Sequence, residues 1–298
     1  MRARFGDQTS TALMLAIPAL LGLTLFILLP FLTALALSFT NLRLGSPLPV
    51  EWVGLEQFRR IFSDADFLRA LANNLLFAAV VVPLQTALAL ALALLLNQGL
   101  RGATAFRTLF FMPVVFPMSL VAVIWTLVYA PGPNGMMNAL LEQVSFGYWE
   151  ARDFLRDPVL ALPAIMLLSI WQGSGYQMVI LLAGLQNIPQ ELYEGAALDG
   201  AGHRQQLLHV TLPQLRNPLI FVMLVTTILA FRLFDQVQIM TRGGPDNATT
   251  TVMYETVQAI FTRRQVGRAC AMAVVFFLLV LTITWLQRRL VRQEREVA

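Results

Sequence analysis

The sequence predicts an all-α, polytopic membrane protein, built as a bundle of six transmembrane helices. Of its 298 residues, 57% are hydrophobic and only 13% are charged, whereas soluble domains have roughly 25% charged residues. Six stretches of ~20 or more mostly apolar residues are each long enough to cross a bilayer. Their approximate bounds are residues 12–39, 72–96, 106–129, 159–186, 217–240 and 269–287.

The first stretch is predicted to be a retained helix, because it is longer than the ~7–15 residues of a signal-peptide core. Most stretches carry proline or glycine, such as Pro83, Pro117 and Gly173. In lipid, neighbouring helices must satisfy the backbone groups that such residues free. The helices are therefore expected to pack as one bundle around an internal path.

The charge pattern excludes several classes of function. The net charge of +4 comes entirely from arginine, because the chain has no lysine, and the arginines form no basic stripe. This argues against a nucleic-acid-binding protein. A single Cys270 and two histidines, His203 and His209, predict no disulfide, metal site or cofactor.

The distribution of arginines leaves the orientation open. With both termini in the cytoplasm, ten loop or terminal arginines lie inside and ten outside. The inner loops are shorter, so charge favours this orientation only weakly. The longest outer segment, 41–69, has aromatic residues at helical spacing and is expected to lie in the membrane interface.

A loop between the fourth and fifth stretches has the pattern of two short helices. Pro189 suits a first helical position, Gly200 can end the first helix, and the second would run from His203 to Val210 and stop at Pro213. Small residues would let another protein approach the backbone closely, with Glu194 as a charged contact. The alternative is a hairpin that only joins two spans.

This loop closely resembles the EAA motif of ABC importer permeases. Glu194, Ala196, Gly200, Val210, Leu212 and Pro213 match the motif, and Asp199-Gly200-Ala201 matches a frequent variant of it. Gly195 stands where alanine is usual, which should loosen the helix by ~1 kcal/mol. The resemblance implies that Glu194, Ala196, Ala197, Asp199, Gly200, Ala201 and Pro213 couple the chain to an ATPase.

The resemblance extends over nearly the whole chain and points to the carbohydrate-type subfamily. It rests on residues 28–40, 53–58, 106–113 and 241–245. One departure is Arg268, which follows Gly267 where the family often has tyrosine, so contacts at the outer edge of the sixth span are expected to differ.

The resemblance implies a type I ABC importer permease that imports a sugar or related polar solute, either a disaccharide or oligosaccharide or a glycerol-phosphate compound. Its expected partners are a second permease, two ATPase subunits, an extracytoplasmic solute-binding protein and membrane lipid. The loop and both termini would be cytoplasmic. Without lysine the chain cannot form a phosphate-binding Walker loop, so ATP chemistry is expected in a separate subunit.

This comparison suggests three parts of the chain. Residues 1–68 would hold an N-terminal stub, the first span and the outer segment, and residues 69–288 would form a five-helix core with the coupling loop. Residues 289–298 would be a basic cytoplasmic tail.

The solute path has two candidate sites. Trp171, Gln172, Tyr176 and Gln177 form a polar and aromatic cluster that is expected to break the fourth span and to contact a sugar, unless it serves only helix packing. Arg232 and Asp235 are expected on one face of the fifth span, where they would neutralise one another or bind solute.

Two other classes of function fit less well. A secondary transporter driven by an ion gradient should have buried carboxylates and an inverted repeat, but only Asp235 qualifies and no repeat is evident. An intramembrane enzyme would need a convergent set of aspartate, histidine or cysteine residues in the spans. The sequence has no such set.

Overall fold

A computed structural model describes residues 15–99 and 101–292, with the backbone alone for 290–292. The predicted stub before residue 15 and the end of the predicted tail, 293–298, lie outside the described residues. The described part of the chain is mostly helical, and its only extended pairing is a single bridge between Thr40 and Trp52.

We number the helices of the described residues in chain order. They are α1 (Leu15–Leu37), α2 (Glu56–Phe62), α3 (Ala65–Leu96), α4 (Ala103–Val115), α5 (Met118–Val128), α6 (Met136–Val144), α7 (Ala161–Gln186), α8 (Gln190–Leu198), α9 (His203–Gln214), α10 (Arg216–Phe231), α11 (Val252–Phe261) and α12 (Val266–Arg292). A π-helical turn follows α10 at Val237–Thr241.

The all-α membrane class is confirmed. Among the described residues, α1, α3, α7 and α12 are each long and apolar enough to cross a membrane. Two bent pairs, α4 with α5 and α9 with α10, pass the same test together. The described chain therefore has four such helices, or up to six spans if each bent pair is one span.

The third predicted span is not one continuous helix. Its two halves, α4 and α5, meet at an angle of 102°. Phe116 between them has extended backbone angles, and Pro117 caps α5. Proline has no N–H to donate and disfavours helical geometry in the residue before it, so the pair ends one helix and starts the next.

The fifth predicted span ends earlier than expected. Helix α10 stops at Phe231, and Arg232 lies at its C-cap with φ −81° and ψ 20°. The Thr251 hydroxyl donates to the carbonyl oxygen of Leu233 at 2.9 Å, which satisfies a carbonyl that the helix no longer uses. Arg232 and Asp235 therefore do not share one helical face, contrary to the prediction.

The predicted break in the fourth span is also wrong. Helix α7 runs without interruption through residues 171–177. The glycines there serve close packing instead: a Cβ on Gly173 would overlap the side-chain amide of Gln85, and a Cβ on Gly175 would overlap the backbone oxygen of Phe110. Glycine at these positions lets α3 and α4 approach α7 closely.

The two-helix loop is present with shifted boundaries. Pro189 is the N-cap of α8, not its first helical residue. Pro213 does not stop the second helix, because α9 widens into a π-helical turn at Leu207–Thr211 and continues to Gln214. The wider turn accommodates the missing N–H of Pro213. The chain then bends by 67° into α10.

The chain divides into two compact units. One comprises the described residues up to Asp64 together with Glu255–Phe277, and the other comprises Ala65–Tyr254 and the described residues from Leu278 onward. The core of the second unit is apolar side chains of α3, α7 and α10. They include Ala89, Ala93, Met178, Leu181, Leu185, Leu215 and Val222.

The first unit joins the end of α1 to the beginning of α12. The Gly267 N–H donates to the Leu42 carbonyl oxygen at 3.1 Å. A Cβ on Gly267 would overlap the backbone oxygen of Thr40, so glycine is required for this approach. The most apolar part of α1 has no buried residue, as expected of a helix that faces lipid.

Candidate functional site: an internal cavity and an exposed two-helix loop

A cavity of 370 Å³ lies among α3, α4, α5, α7, α10 and the segment that follows α10. Its wall is largely apolar, and a smaller set of polar side chains enters it. The polar lining residues are Gln85, Ser169, Gln172, Tyr176, Gln177, Thr226, Arg232, Asp235 and Gln236. An apolar cavity with a few polar groups is the usual form of a small-molecule site.

Some of these polar groups are held by neighbouring side chains. The Gln177 amide donates to the Thr226 hydroxyl, and the Gln236 amide donates to the Ser169 hydroxyl at 3.4 Å. The side-chain oxygen of Gln177 is buried, and no described residue donates to it. This oxygen is therefore an acceptor that the protein itself leaves unused.

Arg232, at the C-cap of α10, and Asp235, in the first residues of the helical turn that leads into Val237–Thr241, both line the cavity. Both side chains are exposed to the cavity or solvent. Among the ion pairs of the described residues, none joins Arg232 to Asp235. Because each is free of the other, both charges are accessible within the site.

Of the predicted path residues, Gln172, Tyr176, Gln177, Arg232 and Asp235 come together in this cavity. Trp171 does not line it. Its ring packs against Trp125 on α5 with centroids 5.5 Å apart and planes tilted by 55°. The continuous helix explains the difference, because adjacent residues on a helix point about 100° apart.

The sequence reasoning missed Gln85, Thr226 and Gln236. Each is a polar residue inside or beside a long apolar stretch, and each is buried. Polar side chains within spans usually face the bundle interior. If this rule had been applied to single polar residues as well as to clusters, it would have identified these three residues.

The two-helix loop has the opposite character. Helix α8 contains no buried residue, and Leu198 at its end is 90% exposed. A Cβ on Gly195 would have nothing within 4 Å. Glu194, Ala197, Asp199, Gly200 and Pro213 are exposed, and Ala196 and Ala201 are half-buried. The surface of α8 is therefore open to another protein.

The turn between α8 and α9 is well defined. Gly200 has φ +79°, which favours glycine, and the Ala201 N–H donates to the Ala196 carbonyl oxygen at 2.9 Å. The Gly202 N–H donates to the side-chain oxygen of Gln205 at 2.8 Å, which caps α9. Tyr193 and Thr211 share a hydroxyl hydrogen bond of 3.0 Å that joins the two helices.

Within the described residues, no group of three or more histidine, cysteine, aspartate or glutamate side chains could hold a metal ion.

Comparison with known protein families identifies the family to which this chain belongs. The model of the family described as "Binding-protein-dependent transport system inner membrane component" matches residues 85–296. This range includes the two-helix loop and the cavity-lining residues from Gln85 onward. The chain belongs to this family. It is thus a multi-pass inner membrane protein, as the sequence predicted.

Curated relatives of this inner membrane component are permeases of solute uptake systems. The diacetylchitobiose uptake system permease of Streptomyces coelicolor is 35% identical over 84% of this chain and 73% of its own length. The sulfoquinovosyl glycerol transport system permease of Agrobacterium fabrum is 34% identical over 96% of this chain and 92% of its own length. The sn-glycerol-3-phosphate transport system permease of Yersinia pestis is 30% identical, with 94% of each chain covered.

A solved structure has the same fold. A chain of a bacterial ABC transporter "involved in the import of the acidic polysaccharide alginate" superposes with a TM-score of 0.82. The match covers 98% of this chain and 99% of that chain, at 19% sequence identity. The predicted ABC importer permease fold is therefore confirmed.

Proposed function

We propose that this inner membrane component is one of two permease subunits of an ATP-driven importer, and that it carries a sugar or a related hydroxyl-rich solute. The 370 Å³ cavity would form its half of the translocation path. The relatives named for diacetylchitobiose, sulfoquinovosyl glycerol and sn-glycerol-3-phosphate support this solute class, because each of these polar compounds carries at least two hydroxyl groups.

The observation that carries the proposal is the exposure of the α8–α9 loop. Helix α8 has no buried residue, so packing within the chain does not stabilise it. A helix this short is only marginally stable by itself. The loop nevertheless has a capped, hydrogen-bonded turn. A preformed, open surface with small residues and Glu194 suits docking to a separate ATPase subunit.

The coupling residues in this proposal are Glu194, Ala196, Ala197, Asp199, Gly200, Ala201 and Pro213. The loop and both termini lie in the cytoplasm, where ATP is available. Two ATPase subunits, a second permease and an extracytoplasmic solute-binding protein complete the importer. This chain catalyses no covalent step. Residues 69–288 form the transport core, residues 1–68 flank it, and 289–298 are a cytoplasmic tail.

The cavity supplies the chemistry that a polar solute needs. The free oxygen of Gln177 and the carboxylate of Asp235 accept hydrogen bonds from hydroxyl groups, and Gln172 and Arg232 donate them. Tyr176, which is 39% exposed, offers a ring face for stacking against the apolar side of a sugar. A solute with acidic groups would favour Arg232.

Site-directed cross-linking tests the docking. In a background where the buried Cys270 is replaced by alanine, a cysteine at Ala197 should cross-link to the ATPase in the assembled importer. A matched cysteine at Phe146, which is 92% exposed after α6, should not. Cross-linking at Phe146 and none at Ala197 would refute both the docking role and the orientation.

A further inference from the structure

A small polar pocket lies where the chain leaves α1 and where it enters α12. Its volume is 60 Å³, room for a few water-sized groups and hence for a tetrahedral oxyanion. Its lining residues are Asn41, Leu42, Arg43, Gln57, Arg60, Gln265 and Arg268. The three arginines make this pocket unlike the 370 Å³ cavity, and the pocket and the cavity have no lining residue in common.

The backbone around the pocket is held in place by several contacts. The Gly267 N–H donates to the Leu42 carbonyl oxygen, and the Gln57 side-chain amide donates to the Thr40 carbonyl oxygen at 3.0 Å. Gln57 is 6% exposed and Thr40 is 9% exposed. The backbone that carries the arginines is therefore held by packed neighbours, while the side chains of Arg43 and Arg60 are exposed.

The charges of the pocket are not balanced within the described residues. Arg268 pairs with Asp64, and Arg60 pairs with Glu56 at 3.0 Å. Arg43 has no ion pair among the described residues, so one positive charge is in excess. The Nε–H of Arg268 is buried and has no acceptor in the described chain. A buried charged donor of this kind calls for an acceptor.

The surface beside the pocket is apolar and exposed. Leu44, Leu48, Trp52, Leu55 and Phe62 are between 51% and 72% exposed. Trp52 stacks on Phe39 with ring centroids 5.2 Å apart. Aromatic and aliphatic side chains beside the end of a lipid-facing helix are typical of the membrane interface, where lipid phosphates also lie.

We infer that this pocket binds the phosphate of an anionic phospholipid headgroup. Arg43, Arg60 and the free Nε–H of Arg268 donate to the phosphate oxygens, and the neighbouring apolar surface contacts the acyl chains. The excess positive charge favours an anionic headgroup over a zwitterionic one. This lipid site goes beyond the proposed transport function.

Lipid retention by the purified, complete importer tests the inference. Native mass spectrometry would measure bound phosphatidylglycerol after mild delipidation, with phosphatidylethanolamine for comparison. We expect the wild type to retain phosphatidylglycerol. The amount of bound phosphatidylglycerol should be about tenfold lower in Arg268→Gln and in Arg43→Gln. Arg43→Gln removes no ion pair among the described residues, so it reports on the pocket even if Arg268→Gln folds poorly.

The matched control is Arg59→Gln, which removes an exposed arginine from the same helix α2 outside the pocket. It should retain lipid as the wild type does. Equal retention in all four proteins would overturn the inference. Displacement by millimolar inorganic phosphate with no retained lipid would assign the pocket to a free oxyanion instead. Loss of solute-binding-protein docking with unchanged lipid would assign it to a protein contact.

Discussion

Helix α7 and helix α8 are close in sequence and opposite in environment. Helix α7 is enclosed by α3, α4 and α10, and residues such as Leu168, Met178 and Leu181 are fully buried. Helix α8 begins four residues after α7 ends and has no buried residue. The two helices therefore differ in what stabilises them: packing within this chain for α7, and local capping for α8.

This difference separates two kinds of constraint on the sequence. In α7, Gly175 is required because the Phe110 backbone occupies the space of a side chain, and a side chain at Gly173 would have to displace the amide of Gln85. In α8, Gly195 and Ala197 are exposed, and among the described residues nothing lies within 4 Å of a Cβ built on Gly195.

The largest effect is expected for Gly175→Leu. The added side chain would overlap the Phe110 backbone, and overpacking of this kind costs about 1–3 kcal/mol or more. We expect loss of folded protein, measured as the monodisperse yield in detergent and as thermal stability. Ala87→Leu adds similar volume on an exposed face of α3 and should behave like the wild type. Equal stability of both variants would contradict the close packing of α4 on α7.

Glu194→Lys tests the exposed helix of the pair, α8. If Glu194 pairs with a cation on the ATPase, reversing its charge should cost roughly 2–5 kcal/mol of docking free energy. We expect normal membrane insertion, with little co-purified ATPase and no solute-stimulated ATP hydrolysis. Glu142→Lys makes the same change at an exposed site on α6 and should leave both measurements unchanged. Wild-type values for Glu194→Lys would mean that the loop is only a connector.

A smaller effect is expected for the cavity. Gln172→Ala should raise the solute concentration needed for half-maximal uptake about three- to tenfold, because it removes one hydrogen-bonding group. Assembly and basal ATP hydrolysis should not change. Trp171→Ala is the adjacent comparison, because Trp171 packs on Trp125 and does not line the cavity. If Trp171→Ala lowers uptake more than Gln172→Ala while assembly is intact, the cavity assignment is wrong.

The smallest effect is expected for Gly195→Ala. Alanine has room at this position and stabilises a helix by ~1 kcal/mol relative to glycine. Amide hydrogen exchange in α8 should slow about fivefold, which corresponds to that free energy. Gly200→Ala should have the opposite effect, since φ at this residue is +79°. Faster exchange in Gly195→Ala would show that α8 is not helical in the free chain.

The lengths of the hydrophobic stretches alone predicted much of the fold. A span longer than ~20 apolar residues has few alternatives to a helix in lipid, so α1, α3, α7 and α12 followed directly. The breaks were harder to place. Phe116-Pro117 did break a predicted span, whereas α3 is continuous through Pro83 and α7 is continuous through Gly173.

The sequence predicted only some of the cavity-lining residues, because the direction of each side chain depends on where a helix is continuous. Gln172, Tyr176 and Gln177 stand out as polar residues in an apolar stretch, but Trp171 beside them points elsewhere because α7 is continuous. Gln85 and Thr226 are distant in sequence from Gln177. Their meeting depends on how α3, α7 and α10 pack.

The sequence by itself determined the membrane class, the approximate position of most helices and the motif of the α8–α9 loop, because each depends on local composition or spacing. Only the tertiary structure decided that α10 ends before Arg232, so that Arg232 and Asp235 lie on different elements beside the cavity, and that Arg43, Arg60 and Arg268 meet in one pocket. These features join residues far apart in the chain. Side-chain volume and backbone hydrogen bonding across helices set them, and no local pattern encodes those interactions.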